Sequence, residues 1–534
     1  MAVPTAAPAP DTNRYRPPAL TGLDDLLDRP AREDPGAPAL VVGGERLPLS
    51  YGALAASADD VAARLTAAGL RRGDVVALVC ANTAEFAVGL LGTARAGLVV
   101  APMDPALPGP QLSARLDALG ARTVLLGPPA TGAAPVARVD TPVWPLRVTV
   151  SATGTATAAL DTTAPPAPAG TGASRELTAD DALVLFTAGT TDRAKMVPLS
   201  RANVAASIRG ICATYELGPA DATVAVMPFF HGHGLFAALL SSLAGGGRVL
   251  LPERGRFSAR TFWSDVRSVS ATWFTAVPTI HEILLDRAAT EYPGPELAPL
   301  RFVRSCSAPL NTATQRALER TLGAPLLSAY GMTESAHQAA SEPLPRRGTL
   351  KHGSVGRPTG VALRVLDRDG QPCPAGVQGE VQVQGPTVAR GYLADPAETS
   401  HAFADGWLRT GDLGSLDEDG YLFLTGRIKN LINRGGEKIS PEHVEDILAG
   451  CPGVAEAAVF AVPDAHYGQR VGAAVVVRGG PRGGESAGAE QILRYCRDRL
   501  SAFEVPERLK IVPELPHTAK GGLDRSAVEA RYAG

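Results

Sequence analysis

The chain has 534 residues, more than one hydrophobic core usually supports, so its length predicts two or more domains. A net charge of −3, with 20% charged and 45% hydrophobic residues, is typical of ordinary folded proteins, and no basic block indicates a nucleic-acid partner. The N-terminus has no signal-peptide pattern, no apolar run is long enough to span a membrane, and the cysteines lack paired spacing, so we expect a cytoplasmic protein with reduced thiols and no membrane partner.

Helix and strand patterns alternate early in the chain. Apolar residues over 54–68 recur at helical spacing, and the apolar run 75–79 is suited to a buried parallel strand. A helix over 84–97, capped by Asn82, and a strand over 98–104 complete a βαβ unit.

Later segments extend this pattern and then depart from it. Residues 127–177 are rich in Ala, Thr, Pro and Gly and predict a connection that carries one strand. A strand at 245–253 and a strand followed by a helix at 271–288 return to the α/β pattern. Short alternating strands with Gly-rich turns then predict a β-rich subdomain over 349–427.

A smaller α+β unit is predicted after Lys429. It contains a helix at about 441–448, strands at 455–463 and 472–478, and a helix near 489–500. Such a unit is large enough to be a separate lid domain that follows a hinge.

The predicted fold class is therefore α/β. A large N-terminal domain of stacked βαβ sheets spans 15–427 and includes the β-rich subdomain 349–427. A small α+β C-terminal lid domain spans 428–534.

The run LFTAGTTDRAKMVPLS at 185–200 has the chemistry of a polyphosphate site. Gly189 permits close approach of backbone N–H groups, and Thr187, Thr190 and Thr191 offer hydroxyl donors. Lys195 adds a compact positive charge. The spacing matches neither the Walker loop nor the dinucleotide-binding glycine turn. Such a cluster of small residues is also compatible with an ordinary turn.

Five motifs stand in order along the chain and carry a family resemblance. The chain resembles the adenylate-forming superfamily of acyl-CoA synthetases, adenylation domains and luciferases from about Thr21 to Arg525, and it is most similar to oxalate–CoA ligases. The motifs are TAGTTDRAK (187–195), MPFFH (227–231), SAYGMTE (328–334), GWLRTGD (406–412) and GRIKNLINRGGEKISP (426–441).

This resemblance implies a ligase that works in two steps. ATP and an acid form an acyl adenylate with release of pyrophosphate, and the acyl group then passes to the thiol of CoA. The implied cofactors are ATP, Mg²⁺ and CoA. Lys195 and Thr333 would contact the phosphates, and Glu334 would hold Mg²⁺, a metal that prefers hard oxygen ligands.

The resemblance also assigns the rest of the nucleotide site. Asp412 would accept the ribose hydroxyls, and Arg427 would donate to the ribose or to the region of the α-phosphate. The further implied ATP-binding residues are Thr187, Gly189, Thr190, Thr191, Tyr330 and Gly331.

The lid and the acid pocket follow from the same resemblance. Lys429 stands at the expected hinge, and the CoA channel would be lined near Gly435, Gly436 and Lys438. His231, Ser305 and Ser307 fall where the family lines its acyl pocket. Their polar side chains favour a short polar acid, because buried polar groups need partners. His231 is equally compatible with a buried histidine that is satisfied by backbone.

The chain departs from the family pattern at two places. Ala194 and Met196 flank the loop lysine, where Pro and Gly are usual. Gly522 occupies the position of the family's C-terminal catalytic lysine, and Lys520 lies two residues earlier. Two extended residues span roughly 7 Å, comparable to a lysine side chain, so a shifted loop would let Lys520 act instead. Without such a shift, the adenylation step is weakened or the substrate is unusual.

Three functions remain open at this stage. The leading one is ligation of a short polar acid to CoA. A second keeps adenylation but uses a carrier-protein thiol or an amine as acceptor, or activates an oxyanion such as nitrite to diazotise an aromatic amine. The third is a nucleotide-binding protein without catalysis, against which Thr333, Glu334, Asp412 and Arg427 argue.

Overall fold

The computed structural model describes residues 15–129, 139–187, 194–477, 488–517 and 522–533. The strands are β1 (Pro38–Val42), β2 (Leu47–Ser50), β3 (Val75–Val79), β4 (Val99–Met103), β5 (Thr123–Leu126), β6 (Val143–Val150), β7 (Ala156–Leu160), β8 (Asp181–Phe186), β9 (Met196–Ser200), β10 (Ala222–Val224), β11 (Arg248–Leu251), β12 (Trp273–Ala276), β13 (Phe302–Ser305), β14 (Leu326–Tyr330), β15 (Ala340–Ser341), β16 (Arg357–Pro358), β17 (Ala362–Leu366), β18 (Gly379–Gln384), β19 (Phe403–Ala404), β20 (Trp407–Leu416), β21 (Leu422–Arg427), β22 (Ile432–Arg434), β23 (Glu437–Ile439), β24 (Val454–Asp464), β25 (Gly468–Val477) and β26 (Arg508–Ile511).

The α-helices are α1 (Asp28–Glu33), α2 (Tyr51–Ala67), α3 (Ala84–Arg95), α4 (Gly109–Leu119), α5 (Arg201–Tyr215), α6 (Ser241–Gly245), α7 (Ala259–Ser268), α8 (Pro278–Asp286), α9 (Ala288–Glu291), α10 (Thr312–Leu322), α11 (Pro396–Ala402), α12 (Pro441–Ala449), α13 (Ala489–Arg497) and α14 (Arg525–Tyr532). A π-helical segment, His233–Leu240, runs directly into α6.

A seven-stranded sheet of order β7-β6-β5-β3-β4-β8-β9 forms the first layer. Its central strands β3, β4 and β5 are parallel and almost wholly apolar, as expected for strands covered on both faces. Helix α3 is buried over nearly its whole length and packs closely on α2, since a Cβ atom at Gly92 would lie 2.7 Å from Val61. The predicted α/β fold class is confirmed.

Two predictions for this layer are wrong in detail. The segment 127–177 contains two strands, β6 and β7, whose antiparallel pairing extends the sheet. Asn82 does not cap α3, because its side chain donates to the carbonyls of Ala225 and Met227 and accepts from the amide of Phe229. This buried amide therefore fixes the backbone of the MPFFH motif instead of a helix end.

A second group of strands positions the acid pocket. β12, β13 and β14 are parallel neighbours in the sheet β12-β13-β14-β15-β16, so their carboxyl ends meet at one edge. Those ends are Ala276, Ser305 and Tyr330. Another sheet, β10-β11-β1-β2, completes this part of the fold.

The β-rich segment forms a five-stranded antiparallel sheet of β17, β18, β19, β20 and β21. β20 and β21 pair so that Asp412 lies directly opposite Arg427. This register brings together two residues of different motifs that stand 15 positions apart on consecutive strands.

The C-terminal segment has its own sheet, β23-β22-β25-β24 with β26 beside β25, and its own apolar clusters. The predicted helices and strands of this unit are present as α12, α13, β24 and β25. The Ser440 hydroxyl donates to the carbonyl of Thr425, and Asn430 donates to Glu442 at 2.7 Å. Contacts thus cross the proposed hinge, and the exact domain boundary at 427/428 stays a prediction.

Among the helices of the described ranges, none combines the length and apolar character that a membrane crossing requires.

Candidate active site

A buried carboxylate stands at the end of β14, between two donors. Tyr330 donates from its hydroxyl to Asp412 Oδ2 at 2.6 Å, and Arg427 Nε lies 2.8 Å from Asp412 Oδ1. Asp412 is only 4% exposed, and burial raises the pKa of its carboxyl despite the adjacent guanidinium. Arg427 is half-exposed. The arrangement provides a fixed acceptor beside a mobile cation, which suits a ligand with vicinal hydroxyls and an anionic end.

The turn after Tyr330 is tightly packed. A Cβ atom at Gly331 would lie 1.4 Å from the carbonyl oxygen of His337, so only glycine can stand there. Thr333 and Glu334 begin a short 3₁₀ turn, both half-buried, and Ala336 and His337 follow with positive φ angles of 49° and 86°. The motif is thus folded back on itself, with His337 behind Gly331.

A chain of contacts connects this turn to the phosphate loop. Tyr392 donates to Glu334 Oε1 at 2.8 Å, and Lys195 Nζ lies 4.7 Å above the Tyr392 ring. Lys195 also forms an ion pair with Glu398 of α11. The predicted metal ligand and the predicted loop lysine therefore both contact Tyr392, one at its hydroxyl and the other at a face of its ring.

The base of the phosphate loop is closed by backbone. The Thr187 amide donates to the Lys195 carbonyl at 3.0 Å, and the Lys195 amide donates to Thr187 Oγ1 at 3.3 Å. Met196 is buried and its carbonyl accepts from the Leu393 amide, so this unusual residue serves packing at the start of β9. The predicted residues Gly189, Thr190 and Thr191 lie outside the described residues.

A polar cluster lies at the carboxyl ends of β12 and β13. His233 Nδ1 is 3.0 Å from Ser307 Oγ, and His233 Nε2 is 2.6 Å from Thr275 Oγ1. The rings of His233 and His337 stack with centroids 5.4 Å apart. Beneath them lies Arg304, which is fully buried. We call His233, Thr275, Arg304, Ser307 and His337 the acid-pocket cluster.

Both histidines of this cluster are neutral at physiological pH. Burial lowers the pKa of His233 and of His337 well below the ordinary value, and the nearby Arg304 charge lowers both further. They are therefore hydrogen-bonding groups with one donor and one acceptor nitrogen each.

The three predicted pocket residues are placed differently. Ser307 belongs to the acid-pocket cluster and has a positive φ of 75°. Ser305 ends β13, and its buried hydroxyl has no hydrogen-bond partner among the described residues. His231 is half-buried, and its ring centroid lies 4.5 Å from that of Phe230.

The residues predicted for the hinge and the CoA channel all lie C-terminal to β21. Lys429 follows Arg427 in a short 3₁₀ turn. Partial burial and the Arg427 charge lower its pKa. Gly435 and Gly436 form the exposed turn between β22 and β23 with φ angles of 60° and 103°, and Lys438 is exposed on β23. These conformations favour glycine and leave the turn open to a ligand.

The structure does not test whether Lys520 replaces the lysine that the family carries at the position of Gly522. Gly522 is half-buried just before α14, whereas Lys520 lies outside the described residues. Its proposed catalytic role therefore stays a prediction from the sequence.

The donor set suits ATP with Mg²⁺. No cluster of three or more His, Cys, Asp or Glu side chains able to hold a metal occurs in the described part of the chain. A magnesium ion that is held mainly by phosphates needs only one or two carboxylates, and Glu334, which accepts from the Tyr392 hydroxyl, is the carboxylate predicted for this role.

Sequence reasoning missed the residues that complete this site. His233, Thr275, Arg304, His337 and Tyr392 all contact a predicted site residue or its neighbour. A signal was present for some of them. An arginine inside an apolar strand run is unusual, and polar residues just after parallel strands converge at one sheet edge.

Comparison with known proteins places the chain among relatives of defined activity. Residues 27–393 match the family model for AMP-binding enzyme, and residues 443–521 match the model for its C-terminal domain. An oxalate–CoA ligase from Arabidopsis thaliana is 41% identical over 514 residues, covering 96% of this chain and 98% of its own. A sulfoacetate–CoA ligase from Cupriavidus necator is 36% identical over 517 residues, with coverage of 96% and 98%. ATP-bound MatB from Rhodopseudomonas palustris has a TM-score of 0.80 and 30% identity, with coverage of 96% and 99%.

Proposed function

Because the chain belongs to the AMP-binding enzyme family and is an ATP-dependent acid–thiol ligase, we propose that its acid substrate is short and carries a second anionic group. The enzyme forms an acyl adenylate from ATP and transfers the acyl group to CoA. The proposal concerns which acid enters that reaction.

The observation that carries the proposal is the acid-pocket cluster. Its lining combines a serine hydroxyl, two neutral histidines and a buried guanidinium, where an aliphatic substrate would require apolar side chains. Polar groups of this kind favour a small ligand with oxygen atoms at both ends.

The names of the relatives support the same substrate class. Oxalate and sulfoacetate, which name two similar ligases, are both two-carbon acids with two anionic groups. Each would place one carboxylate at the nucleotide and the other anion in the acid pocket.

For the nucleotide, we propose the following roles. Asp412 accepts from the ribose hydroxyls while Arg427 exchanges from Asp412 to the ligand, which its half-exposed position permits. Thr333 and Lys195 bind phosphate oxygens. Glu334 holds Mg²⁺, which when bound would neutralise phosphate charge.

The lid is proposed to serve the second step. The exposed turn at Gly435 and Gly436, with Lys438 beside it, would approach the pantetheine arm of CoA after rotation about Lys429. A carrier-protein thiol is the alternative acceptor at the same turn. We also propose a cytoplasmic location, because all six cysteines are unpaired and the reaction consumes ATP and CoA.

A substrate panel tests the proposal. Pyrophosphate release and CoA thioester formation would be measured with oxalate, malonate, sulfoacetate, acetate, hexanoate and benzoate, with and without CoA. We expect kcat/KM for at least one two-anion acid to exceed that for acetate by at least tenfold. Preference for hexanoate or benzoate would contradict the proposal. Turnover of nitrite with no acid turned over would instead favour the non-carboxylate oxyanion.

A further inference from the structure

Arg304 is a buried cation with an unusual set of partners. Arg304 is fully buried on β13, and no ion pair among the described residues includes it. Burying a guanidinium without a carboxylate is costly, so such a residue is retained only where its charge or its geometry is used.

Four hydrogen bonds of Arg304 go to neutral acceptors. Nε donates to the Tyr215 hydroxyl at 2.8 Å, and Nη1 donates to Thr275 Oγ1 at 3.1 Å. Nη2 donates to His337 Nε2 and to Gln338 Oε1, both at 3.0 Å. The planar fork of Arg304 therefore fixes four groups at once, two of which lead into the acid pocket.

A guanidinium can only donate, so these bonds determine where protons lie. His337 Nε2 must accept from Arg304, which places the ring proton of His337 on Nδ1. Thr275 Oγ1 accepts from Arg304 Nη1, and among the described residues its only other hydrogen-bond partner is His233 Nε2 at 2.6 Å, so the Thr275 hydroxyl donates its proton to that nitrogen.

The proton position of His233 then sets the direction of its hydrogen bond to Ser307. With Nε2 accepting, the ring proton of His233 lies on Nδ1 and is donated to Ser307 Oγ at 3.0 Å. The Ser307 hydroxyl proton is then directed away from His233. His337 Nδ1 lies on the side of the ring toward Gly232, which has no side chain to cover it.

We propose that Arg304 is a positioning residue for substrate selection: it sets the proton positions of His233 and His337 so that the Ser307 hydroxyl and His337 Nδ1–H both donate to the second anionic group of the acid. This inference rests on the proposed substrate class. The charge of Arg304 adds long-range attraction for that anion, which is stronger in a buried, low-dielectric site.

Backbone conformation supports a role that requires exact placement. Ser307 and His337 have φ angles of 75° and 86°, in the left-handed region that non-glycine residues rarely adopt. Such conformations cost energy and concentrate where a side chain must point in one direction. The two groups proposed to donate to the anion are thus both held at strained positions.

Two variants and a spectroscopic signature test this role. Arg304→Met removes the charge and the fork with little loss of volume, and Thr275→Val breaks only the branch to His233. Arg301→Lys is the matched control, because this neighbouring arginine pairs with Asp221 and keeps that partner as lysine. Long-range ¹H–¹⁵N spectra of histidine-labelled full-length enzyme, assigned with His233→Gln and His337→Gln, report which ring nitrogen carries the proton.

We expect wild-type spectra with both ring protons on Nδ1, and mixed tautomers for both histidines in Arg304→Met. The kcat/KM for oxalate should fall at least tenfold through KM in that variant, while kcat/KM for acetate and KM for ATP change less than twofold. Arg301→Lys should match the wild type. A folded Arg304→Met enzyme with unchanged oxalate-to-acetate selectivity, or a wild-type ring proton on Nε2 of either histidine, would overturn the inference.

The two proposals fail separately. If the wild type turns over no two-anion acid, the proposed substrate class is wrong, and the tautomer spectra alone decide the role of Arg304. If Arg304→Met does not fold, Thr275→Val decides. In Thr275→Val, the ring proton of His233 should be distributed over both nitrogens, while the ring proton of His337 should stay on Nδ1. A His233 ring proton that is still held on Nδ1 would contradict the proposed transfer of proton positions from Arg304 through Thr275.

Discussion

Replacing Asp412 by asparagine should separate nucleotide binding from stability. The carboxylate accepts from the Tyr330 hydroxyl at 2.6 Å and from Arg427 Nε at 2.8 Å, and it is proposed to accept from the two ribose hydroxyls as well. A hydrogen bond to a charged group is worth about 1.5–3 kcal/mol and a neutral one about 0.5–1.5 kcal/mol, so each ribose bond loses about 1–1.5 kcal/mol in Asp412→Asn. Two bonds give roughly 2–3 kcal/mol, or about 30- to 150-fold weaker ATP binding.

The folded protein should tolerate this change. Burial raises the pKa of Asp412, so the folded state disfavours its charge, and an amide of the same shape removes that cost. We therefore expect the melting temperature to stay level or rise while ATP affinity falls.

Calorimetric titration with ATP and thermal unfolding check the two halves. Asp417→Asn is the matched control, because Asp417 pairs at 2.5 Å with Lys351 in a more exposed position. Exposed pairs contribute about 0–1 kcal/mol, so this control should bind ATP normally. Wild-type ATP affinity in Asp412→Asn, or an equal loss in Asp417→Asn, would refute the ribose assignment.

Three further changes have defined outcomes. Glu334→Gln should keep the fold and lose most Mg²⁺-dependent pyrophosphate release, because the amide keeps the shape but not the charge; a normal rate at saturating Mg²⁺ would exclude Glu334 as the ligand. Lys520→Ala should slow adenylate formation far more than thioester formation from supplied acyl adenylate, as two separate half-reaction assays would measure, and equal effects would indicate a surface residue. Burial raises the pKa of Glu342 from 4.5 to about 7, so the folded state binds more protons than the unfolded chain, and stability from this group falls as pH rises between these values. Thermal unfolding from pH 4.5 to 8 should therefore show a smaller decline in Glu342→Gln than in the wild type, and parallel curves would contradict this.

The local hydrophobic pattern of the sequence was enough to predict most helices and strands, but not which strands pair with each other. The runs at β3, β4 and α12 have the apolar periodicity of their final structure, and the α/β class followed from their alternation. Residues 127–177 were harder to interpret, because a proline interrupts the apolar alternation of β6, and β7 is a short Ala-rich strand at the sheet edge.

The acid pocket required topology that no local window contains. His231 and His233 are two residues apart, and only the π-helical start at His233 turns the second ring inward. The burial of Arg304 could be predicted only with the knowledge that β12, β13 and β14 are neighbouring strands. The proton positions follow one step later, from the hydrogen bonds among those strands' residues.

Lys195 forms an ion pair with Glu398, so phosphate binding by this lysine would be an exchange of one anion for another. If Lys195 binds phosphate, an arriving polyphosphate competes with a carboxylate that already holds this cation above the Tyr392 ring. Adenosine, which lacks phosphates, would leave the pair undisturbed and gain nothing from it. Glu398 would thus compete with any arriving anion for Lys195. This competition lowers the affinity for weakly binding anions and favours a ligand with several negatively charged oxygens, so inorganic phosphate would bind the loop less tightly than a triphosphate.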